Sequence, residues 1–445
     1  MLFSRQIPEI ESYEVVIAGA GSAGATAAIA SARAGAKTLL IERYGFLGGI
    51  STGVLDTFYG FYTPGKKARK VVGGIADEVV AGLNQFGVCF ERPNTYGAGT
   101  GVTYHPEYLK VVWERLALTA GCTLLMHTLV QDVVRSQGQI EGLVLATRGG
   151  LRLVRAKVFI DATGDADLCA YAGLEFNPAE PTAPAQMLTT TFRVCNVDLS
   201  ARQKISKQEF QDLMQQAAES GNYDLPRREG SDHAVPITGF TSTNMTRVAS
   251  CRPTANGVAH AAESAFLSDA EVEGRRQALE YLRFLRDLVP GYGKAELASF
   301  STQIGVRETR RVCGDYVLTR EDVLGARRFD DNIGLCGAPI EDHHSGAGTR
   351  WEYLPDGECV GIPFRTLLPK DADNLLVAGR CFSATHDAHA SVRSMAQCMA
   401  MGQAAGCAGA LATKRGVSPR ELPIATLRSE LEVSGAILSL AEGVA

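Results

Sequence analysis

The stretch that decides the fold is VVIAGAGSAG (Val15–Gly24), followed by an alanine-rich run and then by KTLLIE (Lys37–Glu42). An apolar β-type run leads into G-x-G-x-x-G, a helix-forming run follows, and a second apolar run ends on an acid. This order predicts a strand–helix–strand unit that binds a dinucleotide. Gly19 permits the tight turn, Gly21 lets the backbone approach a pyrophosphate, and Gly24 lets helix and strand pack closely.

The two ends of this unit predict how a dinucleotide is held. Free N–H groups and the macrodipole at the start of the helix favour an anion, so the pyrophosphate is expected there, beside Ser22 and Ala23. Glu42 follows Gly19 at about the 20-residue distance expected for the acid that binds the ribose, and Arg43 lies next to it. A glycine-rich loop with no ligand is the alternative, but the flanking strands, the helix and the acid all favour the dinucleotide site.

Composition excludes several kinds of partner. The 445 residues include 44 Lys and Arg against 49 Asp and Glu, and this near-balance argues against nucleic acid or an anionic membrane as the main partner. The 11 cysteines are scattered without a C-x-x-C pair, so no metal site is expected and buried free thiols are. Such thiols suit a reducing compartment, and the first 14 residues lack an apolar signal core. We therefore expect a cytoplasmic protein.

The remaining patterns predict an α/β chain with two parts. Apolar spacing predicts helices within residues 71–86 and over 106–120, and three β-type runs, Thr123–Val134, Ile140–Thr147 and Leu151–Ile160, predict an antiparallel meander. Asn177–Pro184 is proline-rich, which is typical of a linker. We predict a discontinuous dinucleotide-binding domain over residues 1–184 and 363–445. An α+β substrate or cap domain over 185–362 is expected to be inserted into it.

The C-terminal third contains a second strand-to-glycine turn and a helix of small residues. Asn374–Arg380 predicts a strand followed by a tight turn, and Met395–Ala412 is rich in Ala, Gly and Met. Two glutamines interrupt that second run, so a buried helix is favoured over a membrane span. A helix that begins beside the turn offers a second positive N-terminus.

These segments together resemble the FAD-dependent oxidoreductase family. The resemblance rests on the N-terminal fingerprint, on Asp161–Asp167, on Gly305–Arg311, on Gly361–Pro369 and on Asn374–Gly406. That family shares the glutathione-reductase-type FAD domain and is related in fold to the fumarate reductase and succinate dehydrogenase flavoproteins. The resemblance is weak over about residues 185–300, where substrate choice is expected to lie.

The resemblance implies FAD bound in an extended form within a Rossmann-like domain. The implied cofactor contacts, in chain order, are Gly19, Gly21, Ser22, Ala23, Gly24, Glu42, Arg43, Gly48, Gly49, Val130, Gly164, Asp165, Gly379, Arg380, Ser394 and Met395. Some relatives tether the flavin through a histidine after the first acid, but Gly48–Thr57 contains none, so non-covalent FAD is expected. Arg380 replaces the acid of the fumarate reductases, which argues against close functional equivalence to them.

Four residues are candidates for catalysis. His386 and His389 precede the helix expected to point at the flavin, and histidine titrates near working pH, so either is a candidate base. Arg393 and Arg365 are candidates for binding a substrate carboxylate or oxyanion. Each residue has a structural alternative, a loop hydrogen bond for the histidines and an internal salt bridge for the arginines. His343-His344 without further ligands makes a poor metal site.

The expected function is an FAD-dependent dehydrogenase or oxidase that takes a hydride from a C–H bond of a small polar metabolite to flavin N5. No second G-x-G-x-x-G is present for NAD(P)H, so the organic substrate itself is expected to reduce the flavin. The acceptor stays open among oxygen, a quinone and a carrier protein, and a homo-oligomer is possible. The alternatives are a flavin monooxygenase that uses external NAD(P)H, and a non-catalytic FAD-binding protein.

Overall fold

The computed structural model describes residues 6–94, 97–177, 185–255, 257–343, 346 and 348–440. At its centre lies a five-stranded parallel sheet. Its strands, in spatial order, are Leu375–Val377, Ala156–Asp161, Tyr13–Ala18, Thr38–Ile41 and Thr123–Leu125. In register, Ile17 faces Ile160 on one side and Leu40 on the other. The chain thus has a mixed α/β fold with a Rossmann-like parallel sheet.

Helices of small residues cover this sheet. Parallel sheets are buried on both faces, and accordingly Val15–Ala18 has no exposed surface. The helix Ser22–Arg33 packs on the helix Met395–Arg415 at very short range, because a Cβ at Gly402 would lie 2.1 Å from the carbonyl oxygen of Ala23. The alanines and glycines of Met395–Ala412 therefore form a buried helix, as the composition predicts.

The β-rich region after Cys122 differs from the expected meander. The three antiparallel strands are Leu129–Ser136, Gln139–Thr147 and Gly150–Val154. The start of the first predicted run and the end of the last belong instead to the parallel sheet. His127, at φ 53°, interrupts the first run, so Thr123–Leu125 pairs with Thr38–Ile41. Apolar runs of this kind do not show which sheet a strand joins.

A second apolar core lies within residues 192–300. A four-stranded antiparallel sheet carries it, in the order Ser231–Ala234, Thr241–Asn244, Phe192–Cys195 and Glu296–Phe300. The helices Lys207–Glu219 and Ser264–Leu288 pack their apolar faces on the same core. The first turns of the second helix cover a small cluster around Leu188 and Ile304.

Apolar side chains of residues 312–363 pack into the larger core rather than the second one. Ile333, Leu335, Val360 and Ile362 are all part of the larger cluster. The predicted boundary at 362 stays a prediction, and the predicted linker falls mainly outside the described residues.

Short strands and further helices complete the fold. The other strands are Thr57–Phe58, Cys89–Arg92 and Gly101–Tyr104 in one sheet, and the pairs Phe176–Asn177 with Arg311–Val312, Cys251–Thr254 with Gly257–His260, Asn332–Cys336 with Val360–Pro363, and Ile340–Asp342 with Arg350–Glu352. The other helices are Ile50–Gly53, Ile75–Gln85, Pro106–Thr119, Asp167–Tyr171, Leu199–Arg202, Arg320–Leu324, His386–Val392 and Ile424–Val433, with 3-10 turns at Phe364–Leu367 and Pro419–Glu421. Across the described ranges, no helix is both long enough and apolar enough to cross a bilayer.

Candidate active site

A cavity of about 980 Å³ lies where the carboxyl ends of the parallel strands meet the second core. Residues of the dinucleotide motif, such as Gly19 and Gly21, line one part of it, and Thr189, Arg227 and Asn244 line another. Its size is at the upper end of the roughly 300–1,000 Å³ typical of ligand pockets. In open α/β sheets, ligands bind outside the carboxyl ends of the strands, which is where this cavity lies.

The glycines of the fingerprint shape a cradle for a pyrophosphate. Gly19 has φ 90°, and a Cβ there would lie 2.6 Å from the carbonyl oxygen of Ala162. A Cβ at Gly24 would lie 1.8 Å from the carbonyl oxygen of Gly19. Gly21 differs, because a Cβ on it would meet no protein atom within 4 Å and would project into open space. Gly21 also caps the helix Ser22–Arg33 without a side-chain hydrogen bond, so the helix N-terminus is open to an anion.

Glu42 is held in place at the adenosine end of the cradle. Its Oε2 accepts a hydrogen bond of 2.7 Å from the N–H of Ala20, and its Oε1 accepts one of 2.9 Å from the N–H of Tyr44. Burial raises the pKa of this carboxyl, and the backbone donors oppose that shift. Both oxygens retain lone pairs for ribose hydroxyls.

Most of the implied cofactor residues line the cavity. They are Gly19, Gly21, Ser22, Ala23, Glu42, Arg43, Gly49, Val130, Gly164, Asp165, Gly379, Arg380, Ser394 and Met395. Gly24 packs behind Gly19, and Gly48 donates its N–H to the carbonyl of Ala20 at 2.7 Å. These two glycines therefore support the cradle from behind.

Asp165 and Arg380 form an ion pair in the wall of the cavity. The Nη2 of Arg380 lies 2.7 Å from Oδ1 of Asp165, which also accepts the hydroxyl of Thr309 at 2.8 Å. Burial opposes ionisation of Asp165, but these two partners hold its pKa below the ordinary value. The pair joins the Ala162–Gly164 turn to the Gly379 turn, which lie after neighbouring strands of the sheet.

A helix start and a tyrosine lie together at the end of the cavity that the family resemblance assigns to the flavin. Ser394 begins the helix Met395–Arg415 without a side-chain cap bond, and Ser394 and Met395 both line the cavity. Tyr59 also lines it, and its hydroxyl accepts a hydrogen bond from Nη2 of Arg92. Burial raises the pKa of Tyr59, and Arg92 opposes this shift.

His386 lies between two carboxylates rather than at the cavity wall. Its Nδ1 is 2.9 Å from Oε2 of Glu308, and its Nε2 is 3.1 Å from Oδ1 of Asp342. Burial alone would lower the pKa of His386, but its bonds to Asp342 and Glu308 raise it to about 9. The imidazole is therefore protonated at neutral pH and holds these two segments together, which leaves it without a free nitrogen for a proton.

His389 is fully buried. Its Nε2 lies 2.8 Å from the carbonyl oxygen of Arg380, and its ring stacks on Phe382. Burial lowers the pKa of His389 to about 3, so the ring is neutral and donates to that carbonyl. The side chain is not among the described groups that line the cavity.

The two candidate arginines lie in different parts of the structure. Arg393 lines the cavity at the end of the helix His386–Val392. Arg365 lies outside it, half-exposed, with its Nε 3.0 Å from Oδ2 of Asp331 and its guanidinium over the ring of Tyr316. The structure thus brings Arg393, and not Arg365, to the site, since Arg365 projects outwards from a 3-10 turn whose other residues are buried.

Several cavity residues are not among the site residues that the sequence predicts. Arg227, Asn244, Arg307 and Glu341 line the cavity. No local pattern marks Arg227 or Asn244. Asn244 ends a strand of the antiparallel sheet of the second core, and Arg227 lies in the segment before another strand of that sheet. Arg307 is one of three arginines in a short segment, and the sequence of that segment does not distinguish it from the other two.

One group of side chains has metal-like spacing. Asp342, His386 and Asp387 present ligand atoms within 4.8 Å of one another. The Nη2 of Arg350 lies 3.2 Å from Asp342 and 2.5 Å from Asp387. The guanidinium supplies positive charge at this point, so an ion-pair network accounts for the cluster.

Comparison with known proteins agrees with this geometry. Residues 14–431 match the model of the family described as FAD dependent oxidoreductase. A digeranylgeranylglycerophospholipid reductase of Thermoplasma acidophilum is 30% identical over 179 residues, which are 37% of this chain and 43% of the reductase. A thiamine thiazole synthase of Methanothermobacter thermautotrophicus is 33% identical over 159 residues, 34% of this chain and 55% of the synthase. The matches thus span about half the length of these relatives.

A solved structure extends the likeness of fold to almost the whole chain. The flavin-dependent brominase Bmp2 matches with a TM-score of 0.50 and 14% identity, over 95% of this chain and 84% of the brominase. The glycine cradle, the open helix N-terminus and the fixed Glu42 fit the pyrophosphate and ribose of a dinucleotide. The chain belongs to the FAD-dependent oxidoreductase family, and it is an enzyme with FAD as its cofactor.

Proposed function

We propose that this enzyme is a dehydrogenase or oxidase that takes a hydride from a C–H bond of a small polar metabolite. The observation that carries the proposal is the continuity of the cavity. It runs from the glycine cradle past Ser394 and Met395 to the polar side chains of Thr189, Asn244 and Arg307. A substrate held by these side chains would lie beside the start of the helix Met395–Arg415.

When bound, FAD supplies the hydride acceptor. The chain has to orient the substrate and manage one proton. The open N-terminus of the helix Met395–Arg415 favours negative charge at its start. Arg393, directly before that helix, and Arg307 supply donors to the substrate.

Tyr59 is the residue we propose for the proton. Tyr59 lines the cavity, and its hydroxyl accepts a hydrogen bond from Arg92, whose positive charge opposes the rise in the pKa of Tyr59 that burial causes. Glu341 also lines the cavity. Burial would raise the pKa of its carboxyl, but His343, Arg393 and Arg307 outweigh this effect and lower the pKa to about 2. A carboxylate of that pKa is a weak base, so we assign Glu341 to charge balance.

His386, His389 and Arg365 are proposed to act on the site from outside it. The two histidines fix the segment that carries Arg393, and Arg365 anchors Asp331.

The test is anaerobic mixing of the FAD-loaded protein with a panel of small hydroxy acids, amino acids and saturated acids, and separately with NADPH. Bleaching of the flavin band at about 450 nm by a panel member, and not by NADPH, supports the proposal. Rapid bleaching by NADPH alone would favour a monooxygenase. Acid precipitation of the same protein tests the non-covalent attachment, which predicts that the colour passes into the supernatant.

A further inference from the structure

Three arginines converge on the substrate part of the cavity from distant segments. Arg227 precedes the strand Ser231–Ala234, Arg307 follows the strand Glu296–Phe300 in the chain, and Arg393 ends the helix His386–Val392. All three line the cavity. Arg227 and Arg307 share one acceptor, since Oδ1 of Asn244 lies 2.8 Å from Nη1 of Arg227 and 3.5 Å from Nη2 of Arg307. The pKa of Arg307 falls to about 9 through burial first, and then through the charges of Arg227 and Arg393.

The hydrogen-bond partners of these guanidinium groups are neutral. Arg227 donates to the backbone and side-chain oxygens of Asn244, and Arg307 donates to the carbonyl of Met187 at 2.7 Å and to the hydroxyl of Thr189 at 2.6 Å. Among the residues that the structure describes, the Arg393 guanidinium reaches only the carbonyl of Glu341, at 3.4 Å. Within the described part of the chain, no carboxylate lies within 4.0 Å of any of the three guanidinium groups.

Two of the three also keep an unsatisfied buried donor. Nε of Arg227 and Nε of Arg393 are buried and have no hydrogen-bond partner in the described ranges, and Arg227 as a residue is only 8% exposed. An unpaired buried donor on a charged group costs more than one on a neutral group. Such donors at a cavity wall indicate a ligand that completes them.

The balance of charges around these arginines indicates the sign of the charge on that ligand. The negative charge of Glu341 partly compensates the positive charges of Arg227 and Arg307. Its Oε1 is already bonded to Nε2 of His343 at 3.0 Å. Burial lowers the pKa of His343 to about 3, so this imidazole adds no charge. Glu229 also lines the cavity and offsets part of the charge of Arg227, whereas Glu308, which acts on Arg393, is already paired with His386 and Arg311. Three guanidinium groups against the carboxylates of Glu341 and Glu229 leave a net positive wall. Burying such charge is costly unless an anion compensates it.

We propose that Arg227, Arg307 and Arg393 form a subsite for the oxyanion of the substrate, so that the enzyme acts on metabolites bearing a carboxylate or phosphate group. This assignment rests on the proposed function, because it takes the bound anion to be part of the substrate. Guanidinium forks match carboxylate and phosphate oxygens in shape as well as in charge. Arg393 directly precedes Ser394, so the anion would lie beside the helix start assigned to the flavin.

One further arginine at the second core, Arg202, does not compete for this role. Arg202 also lines the cavity, but its Nε and Nη2 pair with the two oxygens of Asp232 at 2.8 and 2.7 Å. Its charge is therefore already matched within the second core.

The test uses the FAD-loaded, full-length protein and measures binding through the flavin absorption spectrum. Malonate, succinate and inorganic phosphate are titrated at constant ionic strength, with malonamide as the neutral counterpart of malonate. We expect a saturable spectral change with malonate, succinate or phosphate, and none with malonamide at the same concentrations. A preference for the two dicarboxylates assigns the subsite to carboxylates, and a preference for phosphate assigns it to phosphate esters.

Substitutions locate the binding. Arg227→Met and Arg307→Met are each expected to weaken binding of the preferred anion at least tenfold, about 1.4 kcal/mol. Arg227→Lys and Arg307→Lys keep the charge and are expected to bind between the Met variants and the wild type, which excludes simple misfolding. Arg276→Met, on an exposed ion pair with Glu273 of the long helix, is the matched control and is expected to bind like the wild type.

The inference is overturned if malonamide perturbs the flavin as strongly as malonate, or if the Met variants that retain flavin bind the anions like the wild type. Different results would contradict the proposed function. If anions bind at the arginines but no metabolite bleaches the flavin, the subsite stands and the reaction assignment falls. If neutral alcohols or amines reduce the flavin while no anion binds, the reaction assignment stands and the subsite falls.

Discussion

Nδ1 of His386 lies 2.9 Å from Oε2 of Glu308, in a pair that joins the helix His386–Val392 to the Val306–Arg311 segment. The imidazolium is also held by Asp342, and the Glu308 carboxylate is buried. Both residues flank elements that carry the arginines of the site. The pair therefore links the stability of the fold to the geometry of the cavity.

Removing this imidazolium is expected to destabilise the protein in a pH-dependent way. The folded pKa of His386, about 9, exceeds the ordinary 6.5, so its stabilisation is complete below pH 6.5 and is lost as pH rises through 9. Glu308 has a pKa of about 2 against 4.5, so its contribution is lost as pH falls through that range. His386→Gln should therefore cost about 2 kcal/mol at pH 5–6, and less at pH 9.

Chemical unfolding of the two proteins across pH 4–10 measures this difference. His260→Gln is the control, because His260 lies 3.8 Å from an exposed Glu263 at the surface. A stability difference that stays constant from pH 6 to 10 would contradict the ion-pair assignment.

Substitution of His389 distinguishes a structural imidazole from a base. His389→Leu removes the buried hydrogen bond to the carbonyl of Arg380 and is expected to cost about 1–3 kcal/mol of stability. The rate of flavin reduction per bound flavin should fall less than about tenfold, since a lost general base typically costs 10²–10⁴-fold. A larger loss of rate with unchanged stability would restore His389 to the catalytic role.

Tyr59 is expected to behave as the catalytic group. Tyr59→Phe removes the hydroxyl that accepts from Arg92 and should slow flavin reduction about 100-fold while FAD stays bound. The pH dependence of the reduction rate should flatten in the variant. Rapid reduction kinetics with the best panel substrate give both quantities, and a wild-type rate in Tyr59→Phe would exclude the assignment.

Two neighbouring glycines are expected to respond in opposite ways. Gly21→Ala places a methyl group in open space, so the fold should persist while FAD binds at least about tenfold more weakly. Gly24→Ala would bring a Cβ to 1.8 Å from the carbonyl oxygen of Gly19, so the fold itself should fail. Thermal unfolding and FAD titration of both variants separate these effects. A stable Gly24→Ala protein, or unchanged FAD affinity in Gly21→Ala, would contradict the cradle described above.

The cofactor half of the molecule could be predicted from local sequence because its contacts come from short, continuous motifs. Gly19, Glu42, Gly164 and Gly379 each lie at the end of a strand, and the parallel sheet brings those ends together. The substrate half could not be predicted in this way. Asn244 reaches the cavity through antiparallel pairing of distant strands, for which apolar patterns give no register, and Arg227 comes from the segment that leads into one of these strands.

Two histidines show the same limit of sequence-based prediction within one short segment. His386 and His389 precede the expected helix as the sequence indicates, but helical geometry turns both towards buried partners. Arg393, a few residues later, is the member of that segment that lines the cavity. Sequence distance from the flavin-facing helix therefore did not reveal which side chain faces the ligand.

The measurement that tests the account most directly is anaerobic reduction of the bound flavin by matched pairs of substrates, each a small acid and its amide. We expect the acid of a reactive pair to bleach the flavin band at about 450 nm at least tenfold faster than the amide at subsaturating concentrations. We also expect Arg307→Met to remove this preference. Equal rates for acids and amides, or reduction by NADPH and by no metabolite, would contradict the account.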